Sequence, residues 1–374
     1  MHSGFRTQIE SLQEQLGRLR EYLARLPAAG QSPGFTQAHG TLTRLTEAQL
    51  AQCKSFARRS ASRAGEREWS ELASLRTASR DLAADYLALQ DSVRLRSEPR
   101  IRQICSIADS LLAGLSNAVS EPRSHYTLIS EAEHFGGSSP AIHLGFVDLS
   151  VWTLTRLAHE FAHMWLTDSR RDGLRRDFLA EVPSSWSQAH GHEFFADIFA
   201  TFLLGPAYAF SSLLLDFDPA ERNSSRAASH PTGNERARCV LWTLRHLAES
   251  HPPLGQPEFH SLHDSLDASW SAARSQAVPT EQLIEGPALE LMVLWLFERL
   301  QTAFPQSMYN RIPAANRFRS ALDSPSPVSP PDTDWRDALN GAWFWRRSPQ
   351  TPPGAAEIEA RLLRVVPRLE GVAS

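Results

Sequence analysis

Two histidines four residues apart, with a glutamate directly after the first, lie in the stretch TLTRLAHEFAHMWL at residues 153 to 166. The surrounding apolar residues predict a buried helix, and residues four apart share one face of a helix. His159 and His163 can therefore direct both imidazoles at one metal ion, with Glu160 to one side of it. The geometry suits zinc, and a bound ion would offset the cost of burying these polar groups.

Two histidines do not complete a catalytic zinc site, which normally has three protein ligands and keeps a fourth position for water. A candidate third ligand occurs in the stretch HEFFADIFATFL, where Glu193 and Asp197 are also four residues apart on a predicted helix. Two nearby histidines, His190 and His192, compete with Glu193 for this role. His192 ranks below Glu193, because adjacent residues cannot share one face of a regular helix.

The combination of HExxH at 159–163 and ExxxD at 193–197 resembles the gluzincin metallopeptidases. The segment EFFADIFA looks like the thermolysin-type glutamate helix and is equally similar to the ExxAD helix of the CAAX-prenyl-endopeptidase and membrane heat-shock protease group. The segment SHPTGNERARCVL at 229–241 resembles the HP-x-x-x-E-R segment of that second group. The resemblance covers about residues 140 to 250 and leaves the subfamily open.

The resemblance implies that His159, His163 and Glu193 bind Zn²⁺. It implies that Glu160 is the general base, which takes a proton from zinc-bound water attacking a peptide carbonyl and passes it to the leaving nitrogen. It also implies that Asp197 accepts a hydrogen bond from the far nitrogen of a ligand imidazole, with His159 as the first candidate.

Further roles follow from the same resemblance. His230 would donate to the tetrahedral oxyanion, and Arg236 would pair with a carboxylate of the site. The alternatives are a loop residue for His230 and a solvated helix face for Arg236. The strand AIHLGF would lie at the edge of the cleft and pair with an extended substrate, which makes its residues candidates for substrate binding: Ile142, His143 and Leu144.

A second histidine pair occurs at His260 and His263, followed by Asp264. This HxxHD spacing contains no glutamate base, and the pattern favours a surface role over a second metal site.

Helical patterns dominate the elements that must position these residues. Heptad spacing predicts an amphipathic helix at the start of the chain, with apolar positions at Phe5, Ile9, Leu12, Leu16, Leu19, Leu23 and Leu26. Further helices are predicted at about 43–60, 66–96, 100–119, 190–204, 207–216, 233–250, 280–303 and 354–369. Two runs with β alternation, 126–129 and 142–147, predict a small sheet before the histidine helix, and 168–190 reads as a loop with short turns.

These elements predict a mostly α-helical α+β fold, with a zincin-like core that contains a small β-sheet and with an N-terminal helical bundle. The expected domains are an N-terminal helical domain at 1–120, a zincin-like catalytic core at 121–250 and a C-terminal helical region at 251–374.

Charge, cysteine content and apolar runs argue against a nucleic-acid-binding, a secreted and a membrane-spanning protein. The net charge of -4 combines 38 basic and 42 acidic residues mixed along the chain, so we expect no nucleic-acid partner. The three cysteines form no metal-binding or disulfide pattern, and the first residues lack a secretory signal, so we expect a cytoplasmic protein. The uncharged run at 198–215 is interrupted by Gly205 and Pro206, which favours two buried helices over a membrane span.

The sequence therefore predicts a zinc metalloendopeptidase acting on a protein or peptide substrate. One alternative is a zincin-like scaffold that binds zinc and acts as a regulatory or protein-interaction module, with recognition through the N-terminal helices. Another is a zinc hydrolase acting on a non-peptide amide. An intact Glu160 favours an enzyme, because a scaffold needs only the ligands.

Overall fold

The computed structural model of the chain is mostly helical. It describes residues 3–26, 33–60, 65–120, 126–130, 134–135, 142–145, 149–221, 230–250, 256–277, 286–348 and 353–369. The α-helices are α1 (Ser3–Arg25), α2 (Pro33–Arg59), α3 (Glu66–Leu95), α4 (Pro99–Ala118), α5 (Arg156–Leu166), α6 (Asp172–Glu181), α7 (Gln188–Leu204), α8 (Pro206–Ser211), α9 (Gly233–Glu249), α10 (Gln256–Ala277), α11 (Gly286–Ala303), α12 (Ile312–Asp323), α13 (Trp335–Arg346) and α14 (Ala355–Leu369). A 3₁₀ turn (Ser169–Arg171) precedes α6, and a π-helical turn (Ser212–Asp216) follows α8.

One small sheet accompanies these helices. Its strands are β1 (Thr127–Ser130), β2 (His134–Phe135) and β3 (Ile142–Gly145), in the order β1-β3-β2. β3 pairs with β1 in parallel, with Thr127 opposite Ile142, and with β2 in antiparallel, with His134 opposite His143. The prediction of a mostly α-helical α+β fold with a small sheet is confirmed.

The described residues group into two compact units, and the division falls inside α4. The first unit comprises Met1–Cys105 and Arg123–Asp148. Its helices α1, α2 and α3 bury the heptad positions of α1 in a shared apolar core, together with Leu72, Leu75, Leu82 and Leu89 of α3. The amphipathic pattern of the first helix therefore marks its buried face, as expected from the spacing of three and four residues.

The sheet belongs to this first unit. Ser92 on α3 accepts a hydrogen bond at Oγ from the amide of Ile129 at 2.6 Å, and Arg96 donates to the carbonyl of Thr127 at 2.8 Å. These strands were expected to belong with the two helices of the candidate metal site, whereas in the structure they pack on α3. The three predicted domains stay a prediction, because compact units describe packing and not independent folding.

The second unit comprises Ser106–Pro122 and Leu149–Ser374. Its centre is formed by α5 and α7, which the sequence predicted, but four of its helices were not identified from periodicity: α6, α10, α12 and α13. The expected loop over 168–190 is wrong in its middle, because α6 occupies Asp172–Glu181. That helix buries only Phe178 among its residues, so its apolar periodicity is weak.

The break after α7 depends on Gly205. Its φ of +62° lies in the left-handed region, and an added Cβ would collide with the ring of Tyr309. Pro206 then starts α8 at a position where its missing amide proton costs nothing. The expected helix, break and second buried helix are confirmed. Among the described residues, no helix combines the length and apolar character needed to cross a membrane.

Candidate metal centre

Four-residue spacing places the two histidines of α5 on one face, and apolar side chains anchor the helix against α7. Phe161 lies 6.2 Å from Phe199 of α7, and Trp165 lies 5.1 Å from the same ring, between ring centres. These contacts hold α5 against α7 at the ring of Phe199. His159 is buried and His163 is partly buried, and both lie on the face of α5 that meets α7.

α7 contributes two carboxylates to the same space. Ser187 caps the helix, accepting a hydrogen bond at Oγ from the amide of His190 at 3.2 Å. Glu193 and Asp197 follow one turn apart, and both are buried. The cap fixes the start of α7, and the four-residue spacing then directs both carboxylates to the side of the helix that faces α5.

The three candidate ligand side chains converge. Nε2 of His159 and Nε2 of His163 are 3.0 Å apart, and the imidazole planes are inclined at 83°. The Glu193 carboxylate lies 3.4 Å from each of these nitrogens, through Oε2 to His159 and Oε1 to His163. Ligand atoms around a tetrahedral zinc ion with bonds of about 2.05 Å are about 3.3 Å apart, so the spacing fits one small cation.

The chemistry of these donors also fits a cation. Two lone pairs and a carboxylate that face one another at these distances repel unless a positive charge lies between them. Among the described residues, His159, His163 and Glu193 are the group whose side chains can hold a metal ion. Their set of two imidazoles and one carboxylate matches the donors found in catalytic zinc sites.

Asp197 orients one of these ligands from behind. Its Oδ1 lies 3.0 Å from Nδ1 of His159, which suits a proton on Nδ1 and leaves Nε2 directed at the centre. Arg236 donates two hydrogen bonds of 2.8 Å to Asp197, one to each oxygen. Asp197 is therefore held as a charged acceptor although it is fully buried.

The electrostatics of the cluster follow from these contacts. Burial by itself raises the pKa of Asp197, but the charge and hydrogen bonds of Arg236 lower it to about 2. Burial by itself lowers the pKa of His159, but its contacts with Asp197 and Glu193 raise it to about 10. The pKa of Glu193 lies well below its usual range, because its contacts with the two histidines outweigh its burial. In the absence of a metal, a proton on His159 supplies the positive charge.

Arg236 is brought to the site by the start of α9. Thr232 caps this helix and forms a capping box with Glu235, which accepts from the Thr232 amide at 2.7 Å. Arg236 follows in the first turn, with its guanidinium 4.8 Å above the ring of Phe217 and Nη1 3.5 Å from Glu193. The structure thus places Arg236 against both carboxylates and not on a solvated helix face.

The other predicted site residues differ in their placement. His230 has a side chain that is 63% exposed, with Nδ1 3.3 Å from Oε1 of Glu193, so it borders the centre from the solvent side. Glu160 is partly buried beside His159.

The competing ligands, His190 and His192, do not join the converging group. Burial lowers the pKa of His192, as expected for an imidazole that no carboxylate contacts closely.

The second histidine pair lies on α10. His263 Nδ1 is 2.9 Å from Oδ1 of Asp264, whose side chain is 77% exposed. No group of three metal-binding side chains forms there within the described part of α10. The contact joins adjacent residues of one helix, with His260 exposed and the side chain of His263 16% exposed.

The predicted substrate strand does not have the expected position. β3 is the central strand of its sheet, with β1 on one side and β2 on the other over Ile142 and His143. The backbone of those two residues is therefore already paired on both sides, and the side chains of Ile142, His143 and Leu144 are buried. A substrate strand adds to an unpaired edge, so the expected pairing of a substrate with the backbone of Ile142 and His143 is contradicted, whereas substrate binding by Leu144 stays a prediction.

Tyr208 is a site residue that the sequence analysis missed. It lies on α8, fully buried, and its hydroxyl donates to Oδ1 of Asp197 at 2.6 Å. Its ring stacks on the imidazole of His159 at 6.5 Å between ring centres. The only signal in the sequence is a phenol within an apolar stretch, where a buried hydroxyl needs a partner.

Comparison with protein-family models, with curated proteins and with solved structures found no match to this chain.

Proposed function

We propose that this chain is a zinc-dependent metallopeptidase that hydrolyses peptide bonds. The observation that supports this most directly is that the donor atoms of His159, His163 and Glu193 lie 3.0 to 3.4 Å from one another. Asp197 supports this arrangement, because it fixes the tautomer of His159. Zinc is the metal proposed because two imidazoles and one carboxylate are donors it commonly has in hydrolases. When bound, zinc supplies a Lewis acid that brings the pKa of water to about 7.

Glu160 is the proposed general base. It follows His159 directly on α5, is partly exposed, and makes no hydrogen bond or ion pair within the described part of the chain. A carboxylate in this position accepts a proton from the attacking water and transfers it to the leaving nitrogen. The ligand carboxylate, Glu193, is unsuited to this role, because its contacts with the two histidines and Arg236 hold its pKa well below the usual range and make it a weak proton acceptor.

His230 is the proposed donor to the oxyanion. Its exposed ring borders the centre beside Glu193, where a substrate carbonyl can approach from solvent. If the Nδ1 proton of His230 faces Glu193, donation through Nε2 requires the doubly protonated imidazole. Arg236 is a positioning residue in this scheme, because it acts through Asp197 and does not touch the substrate.

The metal is tested by analysis of the purified protein. Three protein ligands in place predict about one zinc per chain, and protein that retains no zinc after mild purification would remove the site. Because zinc can also be structural, this measurement does not distinguish the peptidase from a zinc-binding scaffold.

The reaction is tested with Glu160→Gln. The variant should keep its zinc and lose at least about 10²-fold in hydrolysis, because it removes the base and leaves the ligands in place. Mapping of new protein termini in cells that express the wild type or Glu160→Gln measures this activity and identifies substrates together. Retained zinc with identical termini in both samples would favour the scaffold, and hydrolysis of a non-peptide amide alone would identify the other alternative.

A further inference from the structure

The hydroxyl of Tyr208 completes a triangle of polar atoms on the side of His159 that faces away from the metal centre. It donates to Oδ1 of Asp197 at 2.6 Å and lies 3.2 Å from Nδ1 of His159. The third side of the triangle is the 3.0 Å contact between Nδ1 of His159 and Oδ1 of Asp197. The phenol therefore contacts both the proposed zinc ligand and the carboxylate that orients it.

The direction of these hydrogen bonds follows from the donors that each group has. A charged carboxylate only accepts, so the hydroxyl proton of Tyr208 goes to Asp197. The hydroxyl oxygen can still accept, and with a proton on Nδ1 the imidazole of His159 is the donor beside it. The Nδ1 proton then has two acceptors, and Nε2 stays unprotonated for a metal.

Arg236 cannot replace Tyr208 in this contact. Its guanidinium fixes the Asp197 carboxylate through two hydrogen bonds of 2.8 Å. A guanidinium has donors only, so it offers no acceptor to the Nδ1 proton of His159. Loss of the Tyr208 hydroxyl would leave Asp197 held by Arg236, whereas His159 would lose one of its two acceptors.

The fold holds Tyr208 in place independently of the metal centre. Its side chain is buried on α8, which begins directly after Gly205. The amide of Ala207 donates to Oδ1 of Asn340 at 2.8 Å, and Nδ2 of Asn340 donates to the carbonyl of Leu204 at 2.8 Å. These bonds join the start of α8 to α13 and to the end of α7, so the phenol is positioned before any metal binds.

We propose that Tyr208 is a positioning residue of the metal centre, whose hydroxyl shares the Nδ1 proton of His159 with Asp197 and keeps Nε2 directed at the metal. Groups that hold a metal-binding histidine from behind typically change metal affinity about 10- to 100-fold. The inference rests on the proposed zinc centre. It does not rest on hydrolysis, because a structural zinc ion needs oriented ligands as well.

The test is the zinc affinity of the full-length protein, measured by competition with a chromophoric chelator. Tyr208→Phe keeps the ring and removes the hydroxyl, and we expect zinc to bind about tenfold more weakly. Tyr309→Phe is the matched control, because Tyr309 is also buried and its hydroxyl donates to the buried Asp337 at 3.4 Å. The control should bind zinc as the wild type does. Unchanged affinity in Tyr208→Phe, or an equal loss in both variants, would overturn the proposal.

Nuclear magnetic resonance of zinc-loaded protein labelled with ¹⁵N-histidine reports on the hydrogen bond itself. The Nδ1 proton of His159 should shift in Tyr208→Phe and stay in place in Tyr309→Phe, because the shift of an imidazole N–H depends on its acceptors. Asp197→Asn should move the same signal, which identifies it. Weaker zinc binding with an unchanged signal would indicate a destabilised fold and would contradict the positioning role.

The wild type supplies a measurement that needs no variant. The Nδ1 proton of His159 should show a nuclear Overhauser effect to the ring protons next to the Tyr208 hydroxyl, and its absence would overturn the inference even if Tyr208→Phe did not fold. A wild type that binds no zinc would remove the metal centre and this inference together. Zinc binding that Tyr208→Phe leaves unchanged would remove this inference alone, and full activity in Glu160→Gln would remove only the peptidase.

Discussion

The chain carries two histidine pairs that look alike in sequence and differ in the structure. His159 and His163 on α5 meet the carboxylate of Glu193 from another helix. His260 and His263 lie on α10, where the nearest carboxylate contact is with the adjacent residue of the same helix. The two pairs differ because a carboxylate from a second helix reaches only the first pair. The presence of two histidines does not distinguish them.

The carboxylates behind the pairs show the same difference. Asp197 is fully buried and held by Arg236 and Tyr208, whereas the Asp264 side chain is 77% exposed. Water screens and solvates an exposed carboxylate, so it fixes a neighbouring imidazole weakly. A buried carboxylate with fixed donors holds one orientation and one charge state, which a metal ligand requires.

The largest effect on zinc affinity is expected from removal of Glu193, the proposed third ligand. Glu193→Ala leaves two imidazoles without a carboxylate, and we expect zinc affinity to fall by at least about 10³-fold, measured by competition with a chromophoric chelator. His192→Ala is the matched control on the same helix and should change the affinity little. The reverse order of the two effects would move the third ligand to His192.

Asp197→Asn tests the support behind His159. The neutral amide keeps the shape but no longer holds the tautomer, so zinc affinity should fall about 10- to 100-fold in the same competition assay. The change also leaves Arg236 largely buried without its main partner, which should lower the free energy of unfolding in urea by on the order of 3 kcal/mol. Unchanged affinity and stability would show that the buried network has no role in holding the ligand.

The pH dependence of zinc binding tests the charge state assigned to His159. The pKa of His159 in the metal-free protein is raised to about 10, so its imidazole carries a proton at neutral pH, and zinc must displace it. Between about pH 7 and pH 9 the apparent affinity should fall at least about tenfold for each unit that the pH is lowered. Calorimetry in buffers of different ionisation enthalpy should count at least about one proton released per zinc, because zinc-bound water with a pKa of about 7 adds to the proton that leaves His159. Binding at pH 8 with no proton release would contradict the assigned charge state.

The smallest effect is expected at the second histidine pair, on α10. Asp264→Ala removes a contact that solvent screens, so the free energy of unfolding should change by less than about 0.5 kcal/mol. Zinc content should not change. A loss of zinc in this variant, measured by metal analysis, would show that α10 takes part in metal binding and would remove the distinction between the two pairs.

Periodic patterns predicted some of the helices and missed others. The spacing in α1 predicted its buried face, and the break at Gly205 predicted the separation of α7 from α8. α6 was missed, because a helix that buries one residue carries little periodic signal. β3 was expected at the edge of the cleft with a substrate paired to its backbone. The sequence could not exclude this, because alternation in a strand shows which side chains are buried but not which strands pair with its backbone.

The sequence by itself determined the local arrangement of the candidate site. Four-residue spacing on a helix sets the shared face of His159 and His163, and likewise that of Glu193 and Asp197, because helix geometry alone fixes it. The Thr232 capping box likewise marks the start of α9 from local residues.

Only the tertiary structure decided which of these faces meet. Aromatic packing of Phe161 against Phe199 brings α5 to α7 at a spacing that suits one cation, and no local pattern encodes that distance. The burial of Tyr208 beside Asp197, and the grouping of the sheet with the N-terminal helices, were decided in the same way. Contacts between residues far apart in the chain depend on the simultaneous packing of many side chains, so they exist only in the folded molecule.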